Sequence, residues 1–540
     1  MTGTTTSGLG RTALGPGHRE TNRWAVLVVL CASLMLVALD STVLHVAVPA
    51  VSEDLRPGAV ELLWIVDAYP LVAASLLILF GTLGDRVGRR RILLLGYALF
   101  ALASAVAAFA PTPEVLICAR ALLGVGGAMI MPATLSILRH VFPDRRERAI
   151  AIGAWSAVAA IGAAVGPLLG GFLVQHFWWG SVFLVNIPLM AISLPVGRYL
   201  LPESTGDGEG PWDVLGALVA ALGILCLVLG VKRAGGDTGV AAPEAVVPFL
   251  AGVGLISLFV RRQRRRRHPL VDMRLFSRPA FSTAVGCIVI AMLALVGLAL
   301  IAVQYLQLVL GLSPLEAGLR LLPLTFSAIV AGLVGSKLLR RLGPRTMVIL
   351  GFASTAAGVL VLTLMGQHDR PALLTCCFLV LGFGIQTTLF ASYEGMLSDA
   401  PAGQAGGAAA IGETSYQLGA GLGVAILGSV MNAAYAPAVS RAPGIPQPSR
   451  DSAQHSLGEA YEVASGLGGP TGATLRQAAR AAFVHGLHVT LVVSAGVLLL
   501  GALAALRLPR TFDGCEQRED GQERVLAEGE RVLATARSGS

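Results

Sequence analysis

Along the chain, apolar residues recur in runs long enough for a membrane helix, without the two-residue alternation of a half-buried strand. Fourteen such runs stand out, near 24–48, 62–83, 91–110, 115–138, 149–174, 180–200, 213–232, 245–260, 280–303, 316–338, 346–366, 371–393, 406–432 and 484–506. Each approaches the roughly 20 residues an α-helix needs to cross a hydrocarbon core about 30 Å thick. The pattern predicts an all-α integral membrane protein with 14 transmembrane helices. An acidic loop, PESTGDGEGPWD, follows the sixth run and a basic stretch, RRQRRRRHP, follows the eighth, so the chain divides six plus two plus six.

The expected boundaries follow. Residues 1–23 form an N-terminal tail, 24–200 a six-helix bundle, 201–279 two linker helices with their loops, 280–506 a second six-helix bundle, and 507–540 a C-terminal tail. One segment outside the runs is long, 435–483: Pro437, Pro443, Pro446 and Pro448 give way to an amphipathic stretch, LGEAYEVASGL. A small hairpin over the outer face and an open loop both fit it.

Composition removes the alternative of several soluble domains. Hydrophobic residues make up 54% of the 540 and charged residues 13%, with mean hydropathy +0.72, too few polar side chains to coat several globules. Gly, at 65 residues, sits inside the apolar runs, where it lets helices approach closely. The net charge of +8 would suggest nucleic acid in a soluble protein. Its distribution points to loops instead: with the N-terminus in the cytoplasm, about 30 of the 40 basic residues fall in cytoplasmic segments. The first residues lack an apolar core and cleavage pattern, so a cytosolic tail is expected rather than a signal peptide. Six of seven cysteines lie in apolar runs, with no disulfide framework or metal spacing.

The loop after the second run reads GTLGDRVGRRRIL. Its small residues let helix ends approach, Asp85 can accept backbone N–H groups or an Arg, and Arg89 to Arg91 anchor the next helix. Taken alone, it could be an ordinary tight turn. Its spacing resembles the loop signature of the major facilitator superfamily, in which this loop, here Gly81, Asp85, Arg86, Gly88 and Arg89, is read as a latch between halves. Other segments resemble that superfamily in order. Arg120 stands in LICARALLGVGGAMIMPA, and Gly162, Gly166, Pro167, Gly170 and Gly171 form GAAVGPLLGG, similar to the antiporter element. LDSTVLHVAVP, WIVDAYPL, FWWGSVFLVNIP and GETSYQLGAGLGVAILGS resemble the fourteen-helix drug:proton antiporter branch, EmrB/QacA type, and its quaternary-ammonium pumps. The matching loop of the second half, SKLLRRLGPR, carries Arg340 in the place of Asp85.

An ionised side chain near the bilayer centre costs at least about 2.5 to 3.5 kcal/mol, so each intramembrane charge calls for a reason. Asp40, Asp67 and Arg120 fall at similar depths in the first half and are expected to handle the coupling proton, Asp40 foremost; Asp67 could instead attract cations. A permanently paired Asp40 that only fixes packing is the plain alternative. Glu413, in the other half, is the candidate for reading positive charge on a substrate, with Tyr416 one turn away. Trp64 and Tyr69 complete the candidate substrate site, although Trp64 also suits an interfacial belt. Ser313, Pro314 and Glu316 fit a capped helix start, and Arg320 is placed to pair with Glu316.

No hydrolase, nucleotide-loop or metal motif is legible, so neither an enzyme nor a cofactor is expected. The resemblance implies a major facilitator fold, two six-helix bundles around a central cavity, acting as a proton-coupled multidrug efflux antiporter in the cytoplasmic membrane. The expected partners are lipophilic, mostly cationic compounds, protons and membrane lipid; no nucleic acid is expected, and the chain is expected to act as a monomer. The alternatives are an exporter of one antibiotic or secondary metabolite conferring self-resistance, and a membrane receptor that keeps the fold without transport.

Overall fold

The computed structural model describes residues 22–57, 59–204, 213–234, 242–266, 269–401, 404–441, 445–454 and 456–509. Most of both predicted tails, the acidic-loop residues 205–212 and part of the basic run lie outside them.

All regular elements among the described residues are helices. The first half contains α1 (Arg23–Leu55), α2 (Ala59–Val87), α3 (Arg89–Ala108), α4 (Pro113–Val141) and α5 (Arg145–His176). Its sixth crossing is broken into α6 (Ser181–Leu184) and α7 (Asn186–Leu200). Pro188 supplies the cause: it lacks an N–H, and its ring crowds the carbonyl of Leu184, where α6 stops. The linker pair is α8 (Val214–Ala234) and α9 (Pro243–Arg265). The second half contains α10 (Pro279–Gln304), extended by a π-helical turn at Tyr305–Val309, then α11 (Pro314–Leu362), α12 (Pro371–Asp399) and α13 (Ala405–Ser440). Two short helices, α14 (Gln447–Ala453) and α15 (Leu457–Leu467), precede α16 (Gly469–Ala504).

Thirteen helical stretches among the described residues are long and apolar enough to span a membrane. One of them, Glu316–Leu362, has 47 residues. At 1.5 Å per residue it would extend about 70 Å, more than twice the hydrocarbon thickness. It is two helices meeting at Gly343, whose φ of 73° and ψ of 164° are non-helical, with Pro344 next. Its two arms, taken separately, are consistent with the fourteen crossings expected. Gly88, with φ 119°, makes the corresponding turn between α2 and α3. Only glycine adopts such backbone angles without strain.

The packing repeats between halves. α1 lies along α5 as α10 lies along α13, and α2 lies along α4 as α11 lies along α12. The halves meet where α2 crosses α13 and α5 crosses α11, while α8 rests on both α2 and α13.

Segment 435–483 is largely helical. α13 runs on to Ser440 and α16 begins at Gly469, with α14 and α15 between them. The Tyr461 hydroxyl donates to the Leu308 carbonyl at 2.6 Å and accepts from Arg480 Nε at 2.7 Å, which ties α15 to the π-helical end of α10. Ser313 and Glu316 form the expected reciprocal cap, with Ser313 N donating to Glu316 Oε2 at 2.8 Å. The ion pair expected from that cap is corrected: Arg320 bonds Asp369 at 2.6 Å, because the carboxylate of Glu316 is already engaged by the backbone.

Candidate functional site

The first site grows from a close approach of α1 and α5. Methyl groups placed at Gly162, Gly166 and Gly170 would strike Met35 O, Thr42 Oγ1 and Val43, so bare glycines are what let α5 lie against α1 around Asp40. Gly171 is looser, with its nearest neighbour 3.9 Å away at Val46. Pro167 sits within α5, where it removes one helical donor.

Asp40 is fully buried, 0% exposed, and Arg120 is 2% exposed. Arg120 Nη1 donates to Asp40 Oδ2 at 2.9 Å, and its Nε donates to the Ile65 carbonyl at 3.3 Å. The other carboxylate oxygen accepts from Asn186 Nδ2 at 2.7 Å, and the same amide nitrogen reaches Ser104 Oγ at 3.1 Å. The Arg120 guanidinium also lies 4.7 Å from the Tyr69 ring centroid and 5.9 Å from that of Phe183. Removing one member of such a pair leaves a buried charge and costs about 3 to 5 kcal/mol, whereas hydrogen bonds from Asn186 and to Ile65 satisfy what the pair leaves over. Asn186 Oδ1 is buried with no hydrogen-bond partner among the described residues.

The predicted residues separate in space by role. Asp40 and Arg120 come together, and Tyr69 joins them as a face beneath the guanidinium. Asp67 is half-buried, two positions along α2 from Ile65. Trp64 is half-buried and packs against the cluster of Leu71, Ala74, Ile224 and Val228, at the seam between α2 and α8. Asn186 was not among the sequence candidates. Its only signal was an amide inside an apolar run, next to a helix-breaking proline.

A second buried acid lies in the other half. Glu413, 2% exposed, accepts from the Tyr393 hydroxyl at 3.1 Å. The Tyr393 ring meets Trp155 of α5 edge-on, with centroids 6.1 Å apart. Tyr416 is half-buried, and the aromatic that bonds Glu413 is Tyr393 of α12 rather than Tyr416.

The third cluster joins the halves at their arginine-rich end. Asp85, from the loop signature, accepts Gly406 N at 3.1 Å, Gly407 N at 3.0 Å and Arg89 Nε at 2.9 Å. The two glycines open α13, so the carboxylate caps a helix N-terminus of the opposite half. A methyl placed on Gly81 would lie 2.7 Å from the Gly406 carbonyl oxygen, so the backbones there are nearly in contact. Gly88 makes the turn that follows, and Arg86 lies in the last turn of α2. Around the clamp, Arg139 donates to the Ala400 carbonyl, and Arg148 reaches Glu394 at 3.5 Å and Ser398 Oγ at 3.1 Å. Glu394 is fully buried and was also missed by sequence, because the predicted run ended at residue 393 while α12 continues to Asp399.

Each half thus encloses buried carboxylates, Asp40 in the first and Glu394 and Glu413 in the second, and a polar clamp joins the halves at one end. Residues 30–424 match the family model described as Major Facilitator Superfamily. The chain belongs to the Major Facilitator Superfamily and is a multi-pass membrane protein. Among superfamily relatives, it is 41% identical over 482 residues to the multidrug efflux pump LfrA of Mycolicibacterium smegmatis, covering 89% of this chain and 95% of that one. It is 38% identical to the methyl viologen resistance protein SmvA of Salmonella typhimurium, covering 88% and 96%. It is 31% identical to a tetracenomycin C resistance and export protein of Streptomyces glaucescens, covering 89% and 91%. The crystal structure of the human organic anion transporter MFSD10 shares the superfamily fold, with a TM-score of 0.59 at 14% identity over 89% of this chain and 99% of that one.

Proposed function

We propose that this superfamily member is a drug:proton antiporter of the cytoplasmic membrane, exporting lipophilic, mostly cationic compounds and working as a monomer with its arginine-rich end in the cytoplasm. The observation that carries the reading is the buried Asp40–Arg120 pair, held by Asn186 against glycine-lined α5. A carboxylate with one charge partner and one amide partner has two stable forms. Ionised, it pairs with Arg120. Protonated, it loses the Coulomb attraction but gains an O–H, and rotation of the Asn186 amide presents the unpartnered Oδ1 as an acceptor for it.

Protonation therefore loosens α1 from α4 while the bond to Asn186 of α7 is kept, and deprotonation draws α1 and α4 together. Glu413 supplies the opposite charge for a cationic substrate once Tyr393 releases it, and Asp67 lies along α2 as a second acidic position. The names of the relatives LfrA and SmvA, an efflux pump and a resistance protein, agree with export. The Asp85 clamp is the closed latch of the cytoplasmic side.

The test is Asp40→Asn in cells and in proteoliposomes. Proton-driven efflux of ethidium is expected to cease while the protein remains folded; efflux at the normal rate would remove Asp40 from proton coupling. Glu413→Gln is expected to weaken export of cationic compounds more than of neutral ones, and equal losses would count against charge recognition.

A further inference from the structure

The arginine run at the end of α9 sorts into two faces. Arg262 and Arg266 turn toward Asp213, at 2.8 Å and 3.3 Å, and Gln263 Nε2 adds a bond to the same carboxylate at 3.2 Å. Asp213 is buried, so this clamp fixes the rotation of α9 about its axis. At about 100° per residue, positions 261, 264 and 265 then point roughly a third of a turn away from 262 and 266. Arg261, Arg264 and Arg265 are all exposed, and among the described residues no carboxylate pairs with them.

These three do not face open solvent as isolated side chains. With Ile256, Ser257 and Val260 they line a concavity of about 450 Å³ along α9, in which Ile256 and Val260 are half-buried. The spacing 256, 257, 260, 261, 264, 265 is one continuous stripe along a helix, apolar toward the membrane interior and cationic at its end. The helix has 23 residues. At 1.5 Å per residue that is about 34 Å, so the apolar part lies at acyl-chain depth and the guanidinium groups lie at headgroup level.

We propose that the end of α9 is a binding site for an anionic phospholipid, with Arg261, Arg264 and Arg265 holding the headgroup phosphate and Ile256 and Val260 carrying an acyl chain. The chemistry is complementary in both parts. Guanidinium forks bond phosphate oxygens bidentately, and a fixed cluster of three selects a lipid that keeps negative charge over a zwitterion whose own cation is repelled. The site depends on Asp213: by engaging Arg262 and Arg266, it leaves the other three free to converge. Because α8 touches both halves, a lipid held here steadies the piece that bridges them.

The experiment uses full-length protein, purified and stripped of lipid, with native mass spectrometry counting bound phosphatidylglycerol or phosphatidylcholine. Wild type is expected to retain one more phosphatidylglycerol than the variant R261Q/R264Q/R265Q and to retain no corresponding phosphatidylcholine. A variant that neutralises two exposed arginines elsewhere, R340Q/R341Q, is expected to behave as wild type. Thermal unfolding checks that the triple variant is folded and is expected to show an upward shift on adding phosphatidylglycerol in wild type and none in the triple variant. Equal retention by wild type and triple variant, equal retention of both lipids, or equal loss in R340Q/R341Q would each overturn the proposal. Displacement of the lipid by inorganic phosphate at comparable concentration would do so too, by marking a free-anion site.

Discussion

Asp40 illustrates how a single side chain can be legible while its setting is not. An acid inside an apolar run announces itself, since an unpaired charge there is too costly to be accidental, and Arg120 announces itself for the same reason. Asn186 carries no charge and gives no such signal, yet it holds one of the two Asp40 oxygens. Tyr393 and Glu394 were hidden differently: Tyr393 closes the predicted run as one aromatic among many in the chain, and Glu394 falls one residue beyond that run, while α12 continues to Asp399 and buries it beside Arg148 of α5. Asn186→Leu is expected to destabilise the fold by about 1 to 3 kcal/mol, the cost of an unsatisfied buried acceptor, and to slow efflux. Thermal unfolding and a dye-efflux assay measure the two effects. Arg120→Gln leaves a lone buried carboxylate and is expected to cost about 3 to 5 kcal/mol, whereas D40N/R120Q, which removes both charges, is expected to be the more stable of the two. Unfolding midpoints of the single and double variants test that ordering.

At the scale of helices, periodicity and length sufficed for the crossings, because each must be apolar for a membrane's thickness. The turn at Gly343 was expected as a loop from the local sequence, but its compression into one residue was not, since φ at a glycine is set by the packing of the arms it joins. The contacts between elements were less legible. The glycines of α5 could be read as a packing surface, but only the fold shows that the surface is α1 at the level of Asp40. Gly170→Leu is expected to cost about 1 to 3 kcal/mol by forcing α1 and α5 apart, with loss of efflux, while Gly171→Ala, in ordinary contact, is expected to stay close to wild type. The base of the linker hairpin gives a pH signature. The Arg262 guanidinium holds the Asp213 carboxyl below its usual range. A depressed folded-state value means that the stabilisation is complete above about pH 4, the unfolded carboxyl's value, and is lost as pH falls through the folded one. Acid unfolding of wild type is therefore expected to be steeper than that of Asp213→Asn, and circular dichroism across pH 2 to 6 checks it.

For the whole molecule, the six plus two plus six plan was written in the loops, but the conformation was not. Sequence places Asp85 after α2; it does not say that the carboxylate reaches Gly406 and Gly407 on the far half. A methyl on Gly407 would lie 3.8 Å from the Thr82 methyl, so the variant T82C/G407C, with native cysteines replaced, should accept a short cross-link across the clamp. Efflux is expected to stop on cross-linking and to return on reduction; transport by the linked protein would show that this end need not open. The Asp40–Arg120 pair has a consequence for cargo. While both are ionised, the centre of the first half is electrically quiet; once Asp40 takes a proton, Arg120 stands as a fixed, uncompensated cation. At an effective dielectric of about 20, a positive compound about 10 Å away is repelled by about 1.7 kcal/mol, roughly a fifteen- to twentyfold fall in occupancy. On the proposed proton cycle, an incoming hydrogen ion would therefore evict the cation electrostatically without touching it, and the two passengers would be kept from travelling in the same direction.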